Sequence, residues 1–213
     1  MLYGQLVKPF RSRYSDDGSA LERDVRDALD QILSGLPYIL KVKSPVVDRR
    51  GNAFNIDLQV LDGKSYKRYA IIECKNIHSR NPYTNEIELV KGARPLLFFK
   101  DDRALKICVV NKRRKLSDAS AKKIDHLFRY QVRGRLYDWS EDLDWLKMTY
   151  GVRKMILKSH KWKESLEFCG KLLSYAENEL DIPKRKRRKL LKDLGIRNAH
   201  GMVYAYDVMK KKR

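Results

Sequence analysis

Apolar positions first recur at helical spacing in "GSALERDVRDALDQILSG", residues 18–35. There Leu21, Val25, Ala28, Leu29, Ile32 and Leu33 share one side of a predicted helix. Ser19 and Glu22 form a capping-box pattern at its start, and Gly35 and Pro37 end it. Glu22 lies three and seven residues before Val25 and Leu29, on the border of the apolar stripe. It either reaches inward or serves as a cap. The residues before it, to Asp17, are polar and basic and read as an arm.

The period changes to two in "FNIDLQVLDGKSYKRYAIIECK", which predicts two strands with a turn near Asp62–Gly63. Phe54, Ile56, Leu58 and Val60 share one face of the first strand, and Asn55, Asp57 and Gln59 share the other. In the second, Ala70, Ile72 and Cys74 oppose Tyr69, Ile71, Glu73 and Lys75. A two-residue Asp-Gly turn pairs Leu61 with Lys64 and sends Asp57 and Glu73 to opposite faces. A longer loop, with Leu61 opposite Lys67 or Tyr69, matches the apolar faces instead. Apolar pattern fixes register where one face is buried, so the second arrangement is expected. It gathers Asp57, Glu73 and Lys75 on one face.

Further on, "NPYTNEIELVKGARP" suggests a short capped helix or a loop, and "ALKICVV" (104–110) a buried strand. "SDASAKKIDHLFRY" (117–130) reads as a helix with Ile124, Leu127 and Phe128 inward, and "YQVRGRLYDW" as another strand. Three helices are expected from Ser140 onward, near 140–158, near 161–179 and from about Pro183. The expected architecture is α/β, a mixed central sheet flanked by helices. Residues 1–138 would form the core with its arm, and 139–213 a basic helical extension packed on the same domain.

Charge narrows the partner. Lys and Arg number 47 against 27 Asp and Glu, a net charge of +20. Residues 151–213 hold 18 basic and 7 acidic residues, or +11, leaving +9 for the rest. Such a field favours a polyanion. With no greasy run of spanning length, signal peptide or lipidation motif in view, nucleic acid is preferred over a membrane. "KRKRRK", residues 184–189, is the densest cluster: Lys184, Arg185, Lys186, Arg187, Arg188 and Lys189 are candidate phosphate contacts. A solvated helix face or a localisation signal is the plainer alternative. Cys74, Cys108 and Cys169 form no CxxC pair, and the four histidines are scattered, so neither a disulfide framework nor a zinc site is indicated. An intracellular, cytoplasmic setting fits.

Asp57, Glu73 and Lys75 are the candidate catalytic group. Paired carboxylates supply hard oxygen ligands for Mg²⁺, which keeps waters and substrate phosphate in its shell. Asp57 and Glu73 would hold the ion, and Lys75 would orient a water and offset charge on a phosphate. The plainer alternative for Glu73 and Lys75 is a solvated ion pair at a strand end.

Asp57, fifteen residues, then Glu73-Cys74-Lys75 resembles the signature of the PD-(D/E)XK nuclease superfamily. "GSALERDV" is similar to the first-helix motif, with its inward glutamate, of archaeal Holliday-junction resolvases. The likeness covers roughly residues 18–130, and the whole chain is similar to small nuclease-like proteins of spindle-shaped archaeal viruses. The resemblance implies a restriction-endonuclease-like fold and a Mg²⁺- or Mn²⁺-dependent DNA endonuclease. A structure-directed cut and a homodimer go with it. It implies Glu22, Asp57, Glu73 and Lys75 as the site, with the Cys74 carbonyl a further metal ligand. Ile56 stands where the motif's name has proline, a position that performs no chemistry. Two other readings compete: a non-catalytic DNA-binding protein on the same fold, and a basic RNA-binding protein with no site.

Overall fold

A computed structural model of the chain describes residues 18–47, 51–76, 103–110, 135–138, 142–161, 163–178 and 181–212, with positions 87, 89, 91, 95 and 96. The arm to Asp17 and the helix expected over 117–130 lie outside the described residues, as does most of 81–95. The contacts divide the chain between Ile156 and Leu157 into two compact units, whereas the sequence suggested a boundary after residue 138.

The fold of the first unit is α/β. Helix α1 (Gly18–Leu33) begins one residue before the expected cap and buries Leu21, Val25, Leu29, Ile32 and Leu33. Strands β1 (Tyr38–Val47), β2 (Ala53–Asp62), β3 (Arg68–Lys75), β4 (Leu105–Val110) and β5 (Arg135–Asp138) follow. They form one mixed sheet in sequential order, with β1–β2–β3 antiparallel and β3–β4–β5 parallel. α1 packs on β1, β2 and β3. Helix α2 (Asp142–His160) starts in this unit; its buried Arg153 donates from one guanidinium nitrogen to the carbonyls of Ile32 and Ser34. A cation there satisfies carbonyls that the end of α1 leaves without helical partners.

β1 has no counterpart in the periodicity reading. Pro45 interrupts it, and proline is tolerated here because β1 is the edge strand. The β1–β2 ladder also skips Lys43, whose φ is +45°. A left-handed lysine inside a strand is a local strain of order 1–3 kcal/mol.

The β2–β3 register resolves the choice of turn. Leu58 faces Ile72 and Val60 faces Ala70, so the small apolar set meets the larger one as expected. Near the turn, Leu61 instead faces Arg68, and Tyr69 is the extra residue of a bulge. Asp62 organises this turn. Its Oδ1 accepts from the Lys64 and Ser65 amides at 2.8 and 2.6 Å, and its Oδ2 from the Tyr69 hydroxyl at 2.6 Å. The Asp-Gly pair is therefore part of a wider, aspartate-capped turn. The bulge returns the ladder to the register that aligns Asp57 with Glu73.

Among the described residues the second unit holds α3 (Leu166–Asn178), α4 (Lys184–Asp193) and α5 (Ala199–Lys211), after the last residues of α2. Each packs on the other two. The Ser165 hydroxyl accepts from the Phe168 amide at 3.1 Å, an N-cap that starts α3. Phe168, Leu172, Leu173, Tyr175, Leu190, Leu191, Ile196 and Tyr206 are buried. The basic stretch forms α4 as expected, and the helix ends at Gly195, which takes φ +80°. There the Ile196 amide donates to the Leu191 carbonyl at 2.9 Å and the Gly195 amide to Lys192 at 2.8 Å. This is a Schellman ending, with buried Ile196 against the same turn. Asn198 then caps α5, its side chain accepting from the Gly201 amide at 3.3 Å. Among the described residues no helix is long and apolar enough to cross a membrane.

Candidate functional site

The alternation in β2 and β3 and the register between them put Asp57 and Glu73 on neighbouring strands. The Asp57 Oδ2 accepts from the Cys74 amide at 2.7 Å, which pins its carboxylate beside the β3 backbone. One residue beyond that amide, the Lys75 Nζ lies 3.2 Å from Glu73 Oε1. A solvated ion pair does not describe this contact, because the Glu73 side chain is only 7% exposed. Its other oxygen, Oε2, is buried and has no hydrogen-bond partner among the described residues. A buried carboxylate oxygen without a donor is costly and is seldom retained for stability alone.

The electrostatics follow from that geometry. Burial, then the charge of Asp57, pushes the Glu73 carboxyl up to about 7, with Lys75 and the Asp57 backbone amide pulling the other way. Burial also raises Asp57, opposed by the Cys74 amide, Lys75 and Lys43. For Lys75, burial works against the ammonium, but Glu73 and Asp57 outweigh it and raise its pKa. The cluster thus carries more negative character than its single close lysine neutralises.

Glu22 enters from α1. Burial and the charge of Asp57 raise its pKa, and Lys43 and Lys75 oppose the shift. Its Oε2 lies 3.4 Å from the Nζ of Lys43. The structure brings all four expected residues into one electrostatic group, but Glu22 joins it through an ion pair with Lys43. Lys43 is the residue that sequence reasoning missed. Neither its charge nor its place on an unrecognised strand marks it; the strained φ is visible only in the structure. Gln59, two residues along the Asp57 face, is likewise buried, donating to Ser44 Oγ at 2.7 Å and accepting from Arg68 at 2.9 Å.

Among the described residues no group of three or more His, Cys, Asp or Glu side chains forms a metal cluster. The hard donors brought together are the two carboxylates of Asp57 and Glu73. That set fits Mg²⁺ or Mn²⁺, which bind through one or two carboxylates with water and phosphate completing the shell. The orphaned Glu73 Oε2 is the atom such an ion would satisfy. Thiolate chemistry is disfavoured, since burial pushes the thiols of Cys74 and Cys108 well up.

The six basic candidates in α4 separate into two groups. Arg185, Lys186, Arg188 and Lys189 are exposed. Arg187 is not available as a surface phosphate contact: it is 7% exposed and lies 3.1 Å from Glu177 of α3 and 3.8 Å from Asp207 of α5. Helical spacing turns this one arginine inward. Lys184, though exposed, is paired with Asp207 at 2.9 Å.

No protein-family model matches the sequence, and a search of curated proteins finds no match.

Proposed function

We propose that the sheet cluster hydrolyses phosphodiester bonds in DNA with the help of Mg²⁺ or Mn²⁺, as PD-(D/E)XK nucleases do. The observation that carries this reading is the buried Glu73 carboxylate, one oxygen on Lys75 and the other unpartnered, beside Asp57. Asp57, Glu73 and the Cys74 carbonyl would hold the cation, which supplies Lewis acidity toward the scissile phosphate and lowers the pKa of water. Lys75 donates to the attacking water or a phosphate oxygen and offsets the negative charge that builds there. Lys43 holds Glu22 at the margin of the group and adds positive charge facing Asp57. The exposed cations of α4 favour the same polyanion. A structure-directed cut and a homodimer belong to this proposal.

The test is a cleavage panel of supercoiled plasmid, flap and four-way-junction DNA, with and without Mg²⁺ or Mn²⁺. Cutting by the wild type should need the metal and fall at least about a hundredfold in Asp57→Ala and Lys75→Ala, the scale of losing one charge-stabilising group. DNA affinity should persist in both variants. If every substrate stays intact under both metals, the reading fails and a non-catalytic DNA binder replaces it. Sedimentation of the wild type tests the homodimer.

A further inference from the structure

The second unit contains a feature that the cleavage chemistry does not use. α4, a tight joint from Leu194 to Asn198, and α5 form two short helices packed on each other and on α3. Both ends of the joint are specified, by the Gly195 Schellman ending and the Asn198 cap. Two helices joined by a short glycine-containing turn, braced by a third, are the parts of a helix-turn-helix.

The face of α5 supports that assignment. Ala199 and Tyr206 are buried toward the other helices. On the outside, His200, Tyr204 and Lys211 are exposed at helical spacing, and Arg197 is exposed in the joint just before the Asn198 cap. Tyr204 is 68% exposed, the most exposed large apolar side chain among the described residues. Asp207, the acid on α5, does not project its charge freely, being paired with Lys184 and Arg187. The outer face therefore combines cations and an aromatic with no free carboxylate, and the exposed cations of α4 stand on the preceding helix.

We infer that α5 is a recognition helix that enters the major groove of B-form DNA, with Arg197, His200 and Tyr204 facing base edges. The exposed Arg185 and Arg188 of α4 contact the backbone. Charge complementarity selects a polyanion. The shape of the element selects the duplex, because the B-DNA major groove admits a helix whereas that of A-form RNA is too deep and narrow. Phosphate contacts set affinity and base contacts set preference, so the two helices have separable roles. This inference rests on the reading of DNA as the partner but not on cleavage.

The test uses the full chain in EDTA, so that binding is scored without cutting. A random 30-base-pair duplex library is selected for binding, and the selected duplex is probed by dimethyl sulfate, which methylates guanine N7 in the major groove. The wild type should enrich a motif and protect its guanines. Arg197→Ala with Tyr204→Ala should abolish the preference and weaken binding at least tenfold, with helical circular dichroism unchanged. His200→Ala, alone, should change the selected motif. Arg185→Ala with Arg188→Ala should weaken binding to all sequences equally and leave the motif intact. No enriched motif, no N7 protection, or an unchanged motif in the α5 double variant overturns the inference, as does equal affinity for duplex RNA. A protein that selects and protects a motif yet cuts nothing keeps this inference and loses the nuclease reading. One that cuts but selects nothing does the reverse.

Discussion

Two glutamates, each beside basic side chains, behave in opposite ways in the two units. Glu177 in α3 has both carboxylate oxygens occupied: Oε1 by Lys210 and Arg187, and Oε2 by the Tyr206 hydroxyl at 3.0 Å. The Lys210 contact first, then Tyr206 and Arg187, hold its carboxyl below the usual range. Glu73 in β3 has one oxygen on Lys75 and one without a partner among the described residues, and burial drives its carboxyl up to about 7. The same ingredients stabilise the fold in one place and strain it in the other. A buried acid with a strongly raised pKa, next to a second acid, is a candidate functional position.

The largest effect that would sharpen this contrast is at Arg187. Arg187→Ala removes a buried guanidinium from between Glu177 and Asp207 and should destabilise the helical unit by about 3 kcal/mol, the low end for breaking a buried pair. The low end is expected because Lys210 and Lys184 remain with the acids. Urea denaturation followed by helical circular dichroism measures it. Arg187→Met should recover much of the loss by filling the site with apolar volume. A loss in Arg187→Ala no larger than in Arg188→Ala would remove the network from the account.

Glu73→Gln should act in the other direction, raising stability by about 1 kcal/mol at pH 8 while cleavage is lost. The sign follows from linkage. Glu73 binds its proton more tightly folded than unfolded, so folding is favoured most below the ordinary carboxylate pKa. That stability is lost as pH rises toward about 7, and the strain is fully present above it. Thermal melts of wild type and variant at pH 5 and pH 8 should therefore differ mainly at pH 8. A destabilised variant at pH 8 would show Glu73 to be an ordinary structural partner of Lys75.

The smallest effect is the pH response of Glu177. Its depressed pKa contributes stability that is present above the usual carboxylate pKa and lost as pH falls through the lower folded value. The helical unit of the wild type should soften below about pH 4.5. Glu177→Gln, already without that contribution, should show a flatter acid limb in a circular-dichroism titration.

The core of this arrangement is legible from residue order because it rests on short-range rules. The stripe Leu21 to Leu33 specifies α1, and alternation from Phe54 to Lys75 specifies β2 and β3. The apolar faces also fix that Asp57 and Glu73 align, despite a misleading Asp-Gly pair. What is not legible depends on tertiary context. β1 hides behind Pro45, and Lys43 gains its place at the site only through a left-handed backbone. The inward turn of Arg187 depends on two acids, 10 residues before it and 20 after it in the chain. The end of α4 at Gly195 and the start of α5 at Asn198 do have local signals, a glycine and a capping residue.

On the proposed function, Asp57 and Glu73 bind a divalent cation that offsets the strain of their burial. Titration of Mn²⁺ into the protein at pH 8, with free ion followed by electron paramagnetic resonance, tests it without any substrate. The wild type should take up Mn²⁺ at millimolar or lower concentration, Asp57→Asn and Glu73→Gln should each lose that uptake, and Glu177→Gln should retain it. Uptake that is the same in wild type, Asp57→Asn and Glu73→Gln would contradict the account.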